Sequence, residues 1–230
     1  MPAREFKAIF FDLDGTLVDI HGPLYIAAKN ALEELGHSPP LTREHYREAM
    51  ARNDMWLGIP EHMRPQYAKL AFAYFMTEVD RTERLEVLPH VAETLAELKR
   101  RHYALAVVTS RPGDSRRLTE KLAMVGLAAH FDLIVTQSTA SLRAFDKTHS
   151  LKQSAIKSGV LPHACMYVGD EPRDIMASAA AGFGAAVAVA TGAASYEHLQ
   201  NHPQFKPDFV LHAISELVDL LDRLKADQAG

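Results

Sequence analysis

A second cysteine is missing from this chain: Cys165 stands alone among 230 residues, which rules out an internal disulfide and fits a reducing compartment. A basic excess is missing too. With 25 basic against 29 acidic residues and a net charge of -4, neither nucleic acid nor an anionic membrane surface is an expected partner. Met1-Pro2-Ala3-Arg4-Glu5-Phe6-Lys7 is charged where an export signal needs an apolar stretch, so the cytoplasm is the expected location. There is no long run of Leu, Ile and Phe. The longest uncharged segment, residues 175–196, is built of Ala and Gly, and Gly182 and Gly184 divide it into helix, turn and buried strand instead of a membrane span. No solenoid repeat or low-complexity tract appears. What the chain does have is 47% hydrophobic residues, enough for one large domain or a core domain with a smaller insertion.

The first apolar run, Ile9-Phe10-Phe11, ends abruptly in Asp12-Leu13-Asp14-Gly15-Thr16. Side chains two apart on a strand share a face, so Asp12 and Asp14 converge near a strand end, where buried charge is costly unless paired or metal-bound. An acidic loop explains the pair equally well until partners are found. Residues 22–82 then give helical signals only, with Leu24, Ala27, Ala28, Ala31, Leu32 and Leu35 at helical spacing before Gly36, and Thr42 as an N-cap. This block reads as a helical insertion. From residue 88 the pattern alternates: helix 90–102, strand 103–109, helix 115–124, strand 131–136, helix 150–158, strand 165–169, helix 174–181, strand 185–190, strand 209–211, helix 214–224. Such alternation predicts an α/β, Rossmann-like doubly wound parallel sheet, with ligands at the strands' C-terminal ends. The predicted division is a core of residues 1–18 and 88–230 with an all-helical cap of residues 19–87.

Other strand ends carry reactive groups. One stops at the hydroxyls of Thr109 and Ser110, which can donate to an anionic oxygen, and another at Asp170, with Asp174 four residues on. Lys147 precedes a predicted helix. Four carboxylates gathered together repel one another and any phosphate, so they call for a divalent cation and a lysine, and hard oxygen ligands suit Mg²⁺. Singly, Thr109 reads as a strand cap, Lys147 as a loop lysine and Asp174 as a helix N-cap. The twelve histidines lack zinc-ligand spacing, and His21, His37, His149, His163 and His202 are expected in surface turns or loops.

Together, Asp12-Leu13-Asp14-Gly15-Thr16, the strand ending at Thr109, Lys147, and Gly169-Asp170-Glu171-Pro172-Arg173-Asp174 resemble, in order and spacing, the four motifs of the haloacid dehalogenase-like phosphohydrolases with a small helical cap. The resemblance covers nearly the whole chain. It implies that Asp12 is a nucleophile forming an aspartyl phosphate and that Asp14 is the general acid and base. It also implies that Mg²⁺ is held by Asp12, the Asp14 backbone carbonyl and Asp170, with Asp174 behind them. Thr109 and the amides of Leu13 and Ser110 would hold phosphoryl oxygens, and Lys147 would stabilise transition-state charge. The family's prolines following the lysine are absent from Lys147-Thr148-His149-Ser150, which leaves Lys152 as a second candidate.

Relatives that cleave carbon–halogen or carbon–phosphorus bonds lack a carboxylate at the position of Asp14. Its presence selects hydrolysis of a small phosphate monoester, phosphoglycolate phosphatase-like, with a phosphosugar mutase and a non-catalytic scaffold as alternatives. A small phosphorylated metabolite is the implied partner. Substrate choice falls to the cap, where Arg52 and Trp56 are the candidate contacts, set against Trp56 merely packing between cap helices. Closure of the cap over the core is expected about hinges at 18–22 and 86–89.

Overall fold

Six short apolar segments form one parallel sheet in the order β3-β2-β1-β4-β5-β6. They are β1 (Ala8–Phe11), β2 (Ala104–Pro112), β3 (Leu133–Gln137), β4 (Cys165–Gly169), β5 (Ala185–Val189) and β6 (Phe209–Leu211). The computed structural model describes residues 5–37, 41–52, 54–82, 84–137 and 146–229. Residues 1–4, the expected turn residues Ser38, Pro39 and Pro40, and Asn53 of the loop that follows Arg52 lie outside these.

Alternation along the strands explains the layers. Ile9 and Phe11 of β1, with Leu105 and Val107 of β2, pack on one face against Leu95 and Leu98 of α4 (Val91–Arg100), Leu122 of α5 (Ser115–Met124) and Leu220 of α9 (Leu217–Ala229). Ala8, Phe10, Ala106, Val108 and Tyr167 point to the other face. There they meet Leu151 and Ala155 of α6 (Thr148–Lys157) and Ala177 and Ala181 of α7 (Pro172–Ala181). A sheet covered on both faces by crossover helices is the Rossmann-like α/β arrangement the alternation predicts. Residues 175–196 are helix, turn and strand: α7 closes at Gly182, in the left-handed conformation with φ +78°, and β5 follows. Among the described residues, no helix is long and apolar enough to cross a membrane.

Between β1 and α4 run α1 (His21–Glu34), α2 (Arg43–Ala51) and α3 (Arg64–Arg81), which share a separate apolar cluster around Ala31, Leu32, Tyr46, Ile59 and Tyr67. The two segments joining them to the sheet lie side by side: Val18 bridges Val87, Asp19 N–H donates to Glu86 O at 2.8 Å, and Leu88 N–H donates to Leu17 O at 3.1 Å.

Several local expectations are corrected. The strand predicted to stop at Thr109 runs on to Pro112 after an irregularity in its pairing with β3, which puts Ser110 and Arg111 in the strand. Tyr196–Asn201 is a further helix, α8, started by Ser195 accepting from His198 N–H at 3.3 Å; it is too short for a hydrophobic period to betray it. His21 opens α1 and pairs its Nδ1 with Asp19 at 2.7 Å, and His149 sits in the first turn of α6, so neither is a loop residue. Cys165 is a buried thiol whose pKa burial pushes up to about 12, leaving it inert packing.

Candidate active site

Where β1 and β4 lie adjacent, the chain leaves in opposite directions, toward β2 from one and toward β5 from the other. This switch point opens a crevice at the strands' C-terminal ends. Asp12 follows β1 and Asp170 follows β4, so the crevice receives both. Asp12 N–H donates to Val168 O at 2.8 Å, which carries the register of the two strands one residue further.

Carboxylate oxygens of Asp12, Asp170 and Asp174 lie within 4.8 Å of one another, all three residues being buried. Lys147, 4% exposed at the start of α6, sits against this group. Its Nζ lies 2.8 Å from Asp12 Oδ1 and 2.7 Å from Asp174 Oδ1, and donates to the Tyr167 hydroxyl at 3.2 Å. Tyr167 in turn donates to Val108 O at 3.0 Å. Tyr167 was invisible in sequence because it sits inside an apolar strand. The lysine predicted from position is therefore inside the cluster, whereas Lys152 is an exposed residue of α6. Burial works against the Lys147 charge, but the Asp12 and Asp174 carboxylates hold its pKa well above the ordinary value.

Asp174 serves two neighbours. It is the third residue of α7, where its Oδ2 accepts from Glu171 N–H at 3.1 Å in a capping box. The expected N-cap position itself belongs to Glu171.

Burial pushes the Asp12 pKa up to about 7, with Lys147 opposing and Asp174 and Asp14 adding to the rise. Asp170 is raised well above its ordinary value by burial, then by Glu171, Asp12 and Asp174. One oxygen of Asp170 accepts from Thr16 Oγ1 at 3.2 Å; the other, Oδ2, is buried without a hydrogen-bond partner among the described residues. Three glycines make room for these acids. A Cβ on Gly15, whose φ is +77°, would lie 2.4 Å from Asp170 Oδ2, one on Gly192 1.7 Å from the same atom, and one on Gly169 2.4 Å from Asp174 Oδ2. An all-carboxylate donor set, an orphaned buried oxygen and a side-chain-free cradle fit a hard divalent cation. Gly192 lies in the loop after β5, and no local pattern marks it.

Asp14 does not join the three acids. Its carboxylate, with the side chain 17% exposed, is held by Arg111, Nε to Oδ2 at 2.7 Å and Nη2 to Oδ1 at 2.6 Å. Leu13 is buried, and its carbonyl accepts from Leu17 N–H at 2.9 Å and Val18 N–H at 3.0 Å in the tight turn after Asp12. Thr109 is buried at the crevice, its Oγ1 accepting from Arg111 N–H at 3.1 Å, and Ser110 lines the opening.

A cavity of ≈ 310 Å³ connects these groups with the helices. Asp12, Asp14, Thr109, Arg111 and Lys147 form one end; Met50, Trp56, Tyr67, Phe72 and Phe75 contribute to the other. Trp56 thus faces the same space as the acids, while Arg52 is exposed and does not line it. The Trp56 ring also carries the Arg64 guanidinium 5.2 Å from its centroid.

A parallel α/β sheet whose switch point gathers buried carboxylates around a lysine makes a site that could hold a divalent cation. Residues 9–188 match the family model of haloacid dehalogenase-like hydrolases, and the chain belongs to that family. It is similar to the phosphoglycolate phosphatase of Synechococcus elongatus, 31% identical over 221 residues, spanning 95% of this chain and 98% of that protein. The phosphoglycolate phosphatase of Vibrio parahaemolyticus is 29% identical over 234 residues, spanning 96% and 98%. Among solved structures, a haloacid dehalogenase-like family hydrolase from Streptococcus pneumoniae superposes with a TM-score of 0.68 at 21% identity, covering 94% of this chain and 98% of that one. A beta-phosphoglucomutase from Clostridium difficile gives 0.62 at 17% identity, covering 98% and 100%; these two likenesses concern the fold.

Proposed function

We propose that this chain is a Mg²⁺-dependent phosphoric monoester hydrolase acting on a small phosphorylated metabolite through an aspartyl phosphate on Asp12, in the manner of the phosphoglycolate phosphatases it is similar to. The observation that carries this reading is the convergence of Asp12, Asp170 and Asp174, with Lys147 at 2.8 Å from Asp12 and one buried oxygen of Asp170 without a hydrogen-bond partner among the described residues. In this reading residues 19–87 are a cap over a core of residues 1–18 and 88–230, and the site works in the cytoplasm.

The cation would be held by Asp12, Asp170 and the Asp14 carbonyl, with Asp174 behind, and when bound it supplies positive charge to the phosphoryl oxygens. Lys147 favours the ionised form of Asp12 and so opposes the effect of its burial. An Asp12 oxygen attacks phosphorus as the bond to the leaving oxygen breaks, and Asp14 gives that oxygen its proton. Thr109, Ser110 and the Leu13 amide hold the transferring phosphoryl oxygens. Asp14, now a carboxylate, takes a proton from a water molecule, which attacks phosphorus and breaks the bond to Asp12.

The test is phosphate release from a generic aryl phosphate with and without Mg²⁺. Release that needs the cation and vanishes in Asp12→Asn supports the reading. Full activity in Asp12→Asn, or no release from a broad panel of phosphate esters, rejects it; transfer of the phosphoryl group within a sugar phosphate, without release to water, would mark a mutase instead.

A further inference from the structure

The cavity that reaches Asp12 is two-faced, and the helical side carries no charge. Every described residue that α1, α2, α3 and the segment between α2 and α3 contribute to its wall is apolar or aromatic, among them Leu24, Met50, Trp56, Tyr67, Phe72 and Phe75. The cations on its wall besides Lys147 are Arg111 and Arg173. Arg111 is held on both oxygens of Asp14 at 2.6 and 2.7 Å, and Arg173 is paired with Glu171. Arg52, the cation that sequence placed near the substrate, is outside.

A leaving group bearing a carboxylate would meet no cation among the described residues on the helical side of this chamber, and the two arginines of its wall already have their charge matched by Asp14 and Glu171. Burying a charge that no opposite charge offsets is expensive. An apolar leaving group gains free energy from the same walls in proportion to the area it loses to water. Small-molecule sites of this kind use mostly apolar lining with a few polar groups fixing orientation. Here all the charged groups sit at the phosphoryl end, the described residues of the helical side offering no polar group beyond those of Tyr46, Tyr67 and the Trp56 indole.

Resting on the phosphatase reading above, we infer that the preferred substrate is a phosphate monoester whose leaving alcohol is apolar or aromatic, not a phosphorylated hydroxy acid. Trp56 and Phe72 are specificity-determining residues that contact this leaving group. Both are partly exposed, at 38% and 41%, so they can be changed without opening the packed interior.

The test uses ethyl, propyl, butyl and pentyl phosphates beside 2-phosphoglycolate. In the wild type kcat/KM should rise about fourfold per added methylene. Pentyl phosphate should exceed 2-phosphoglycolate, and Trp56→Ser and Phe72→Ser should each flatten the dependence on chain length. A wild-type series that is flat or falling, with 2-phosphoglycolate preferred, overturns the inference and leaves the phosphatase reading standing. A binding measurement separates the two independently. Trp56 is the sole tryptophan of the chain, so its fluorescence reports the chamber directly. Pentylphosphonate, which cannot be hydrolysed, should change that signal at a concentration at least tenfold lower than methylphosphonate does. The same signal change without hydrolysis of any ester would uphold the apolar chamber and sink the phosphatase reading. Equal concentrations of the two phosphonates would sink the chamber.

Discussion

Arg111 grips both oxygens of the Asp14 carboxylate, a bidentate pair at 2.6 and 2.7 Å in which the arginine side chain is 13% exposed. Fork-to-fork pairing fixes direction as well as charge. If Asp14 delivers the leaving-group proton, Arg111 positions it and at least one of the two bonds must loosen during turnover. Arg111→Ala should lower kcat/KM by about 10²-fold for an alkyl phosphate, the usual scale for a misplaced catalytic group. The loss should be smaller for p-nitrophenyl phosphate, whose leaving group needs no proton, because kcat/KM reports steps up to the first irreversible one. Arg111→Lys should fall between. An equal loss on both esters would show that the arginine does something other than position the acid.

That pair also marks how far the sequence could be read. Asp12, Asp14, Thr109 and Asp170 announce themselves because each polar residue ends or follows an apolar segment, and the strand–helix alternation says that such ends share an edge. Lys147 stands only just ahead of a predicted helix and is singled out by the family resemblance. Arg111 did not announce itself, since the continuation of β2 past Thr109 depends on its pairing with β3. Gly192 is a nonlocal case. It reaches Asp170 because β5 lies beside β4 in register, Gly169 opposite Ala188, which sets the two following loops together. Trp56 facing the cavity and Arg52 outside it are likewise products of how α1–α3 pack, which composition alone does not encode.

Without a cation the acid cluster should make stability fall as pH rises. Between the ordinary aspartate pKa of 3.8 and about 7, folded Asp12 keeps a proton that the unfolded chain has lost, so the folded state binds more protons and raising pH favours unfolding. Asp170, also raised by burial, acts in the same direction. In EDTA, the urea midpoint should therefore be lower at about pH 8 than at about pH 5.5. Asp170→Asn should remove part of that slope and be more stable than wild type at the higher pH. Adding Mg²⁺ to the wild type at about a hundredfold over its Kd should return about 2.7 kcal/mol, or about 5–10 °C in Tm. Asp170→Asn should not respond. A midpoint that rises with pH in EDTA would contradict the linkage.

Asp174 holds Lys147 with one oxygen at 2.7 Å and the amide of Glu171 with the other at 3.1 Å, and two substitutions separate these duties. Asparagine retains an acceptor for the amide while giving up the charge; alanine gives up both. Urea unfolding should find Asp174→Ala less stable than Asp174→Asn by about 1 kcal/mol, the worth of a helix cap. Both should lose activity, because Lys147 then has Asp12 as its one remaining carboxylate partner among the described residues. Equal stabilities would mean that the cap contributes nothing to α7.

Gly192→Ala tests the cradle. The added Cβ would fall 1.7 Å from Asp170 Oδ2 and 2.4 Å from its Cγ, so the carboxylate must swing away. The collision is with a side chain, so the expected outcome is a folded protein with a displaced Asp170. Phosphatase activity should drop about 10²-fold, the scale of an ångström-sized misplacement at a reacting centre. The Mg²⁺-dependent rise in Tm should shrink with it. Gly22→Ala is the matched control: nothing lies within 4 Å of its added Cβ, near the start of α1. It should leave activity intact and change stability by no more than about 1 kcal/mol. Should Gly192→Ala retain both its activity and its response to Mg²⁺, Asp170 would not be the group that anchors the cation, and the metal would have to be assigned to Asp12 and Asp174.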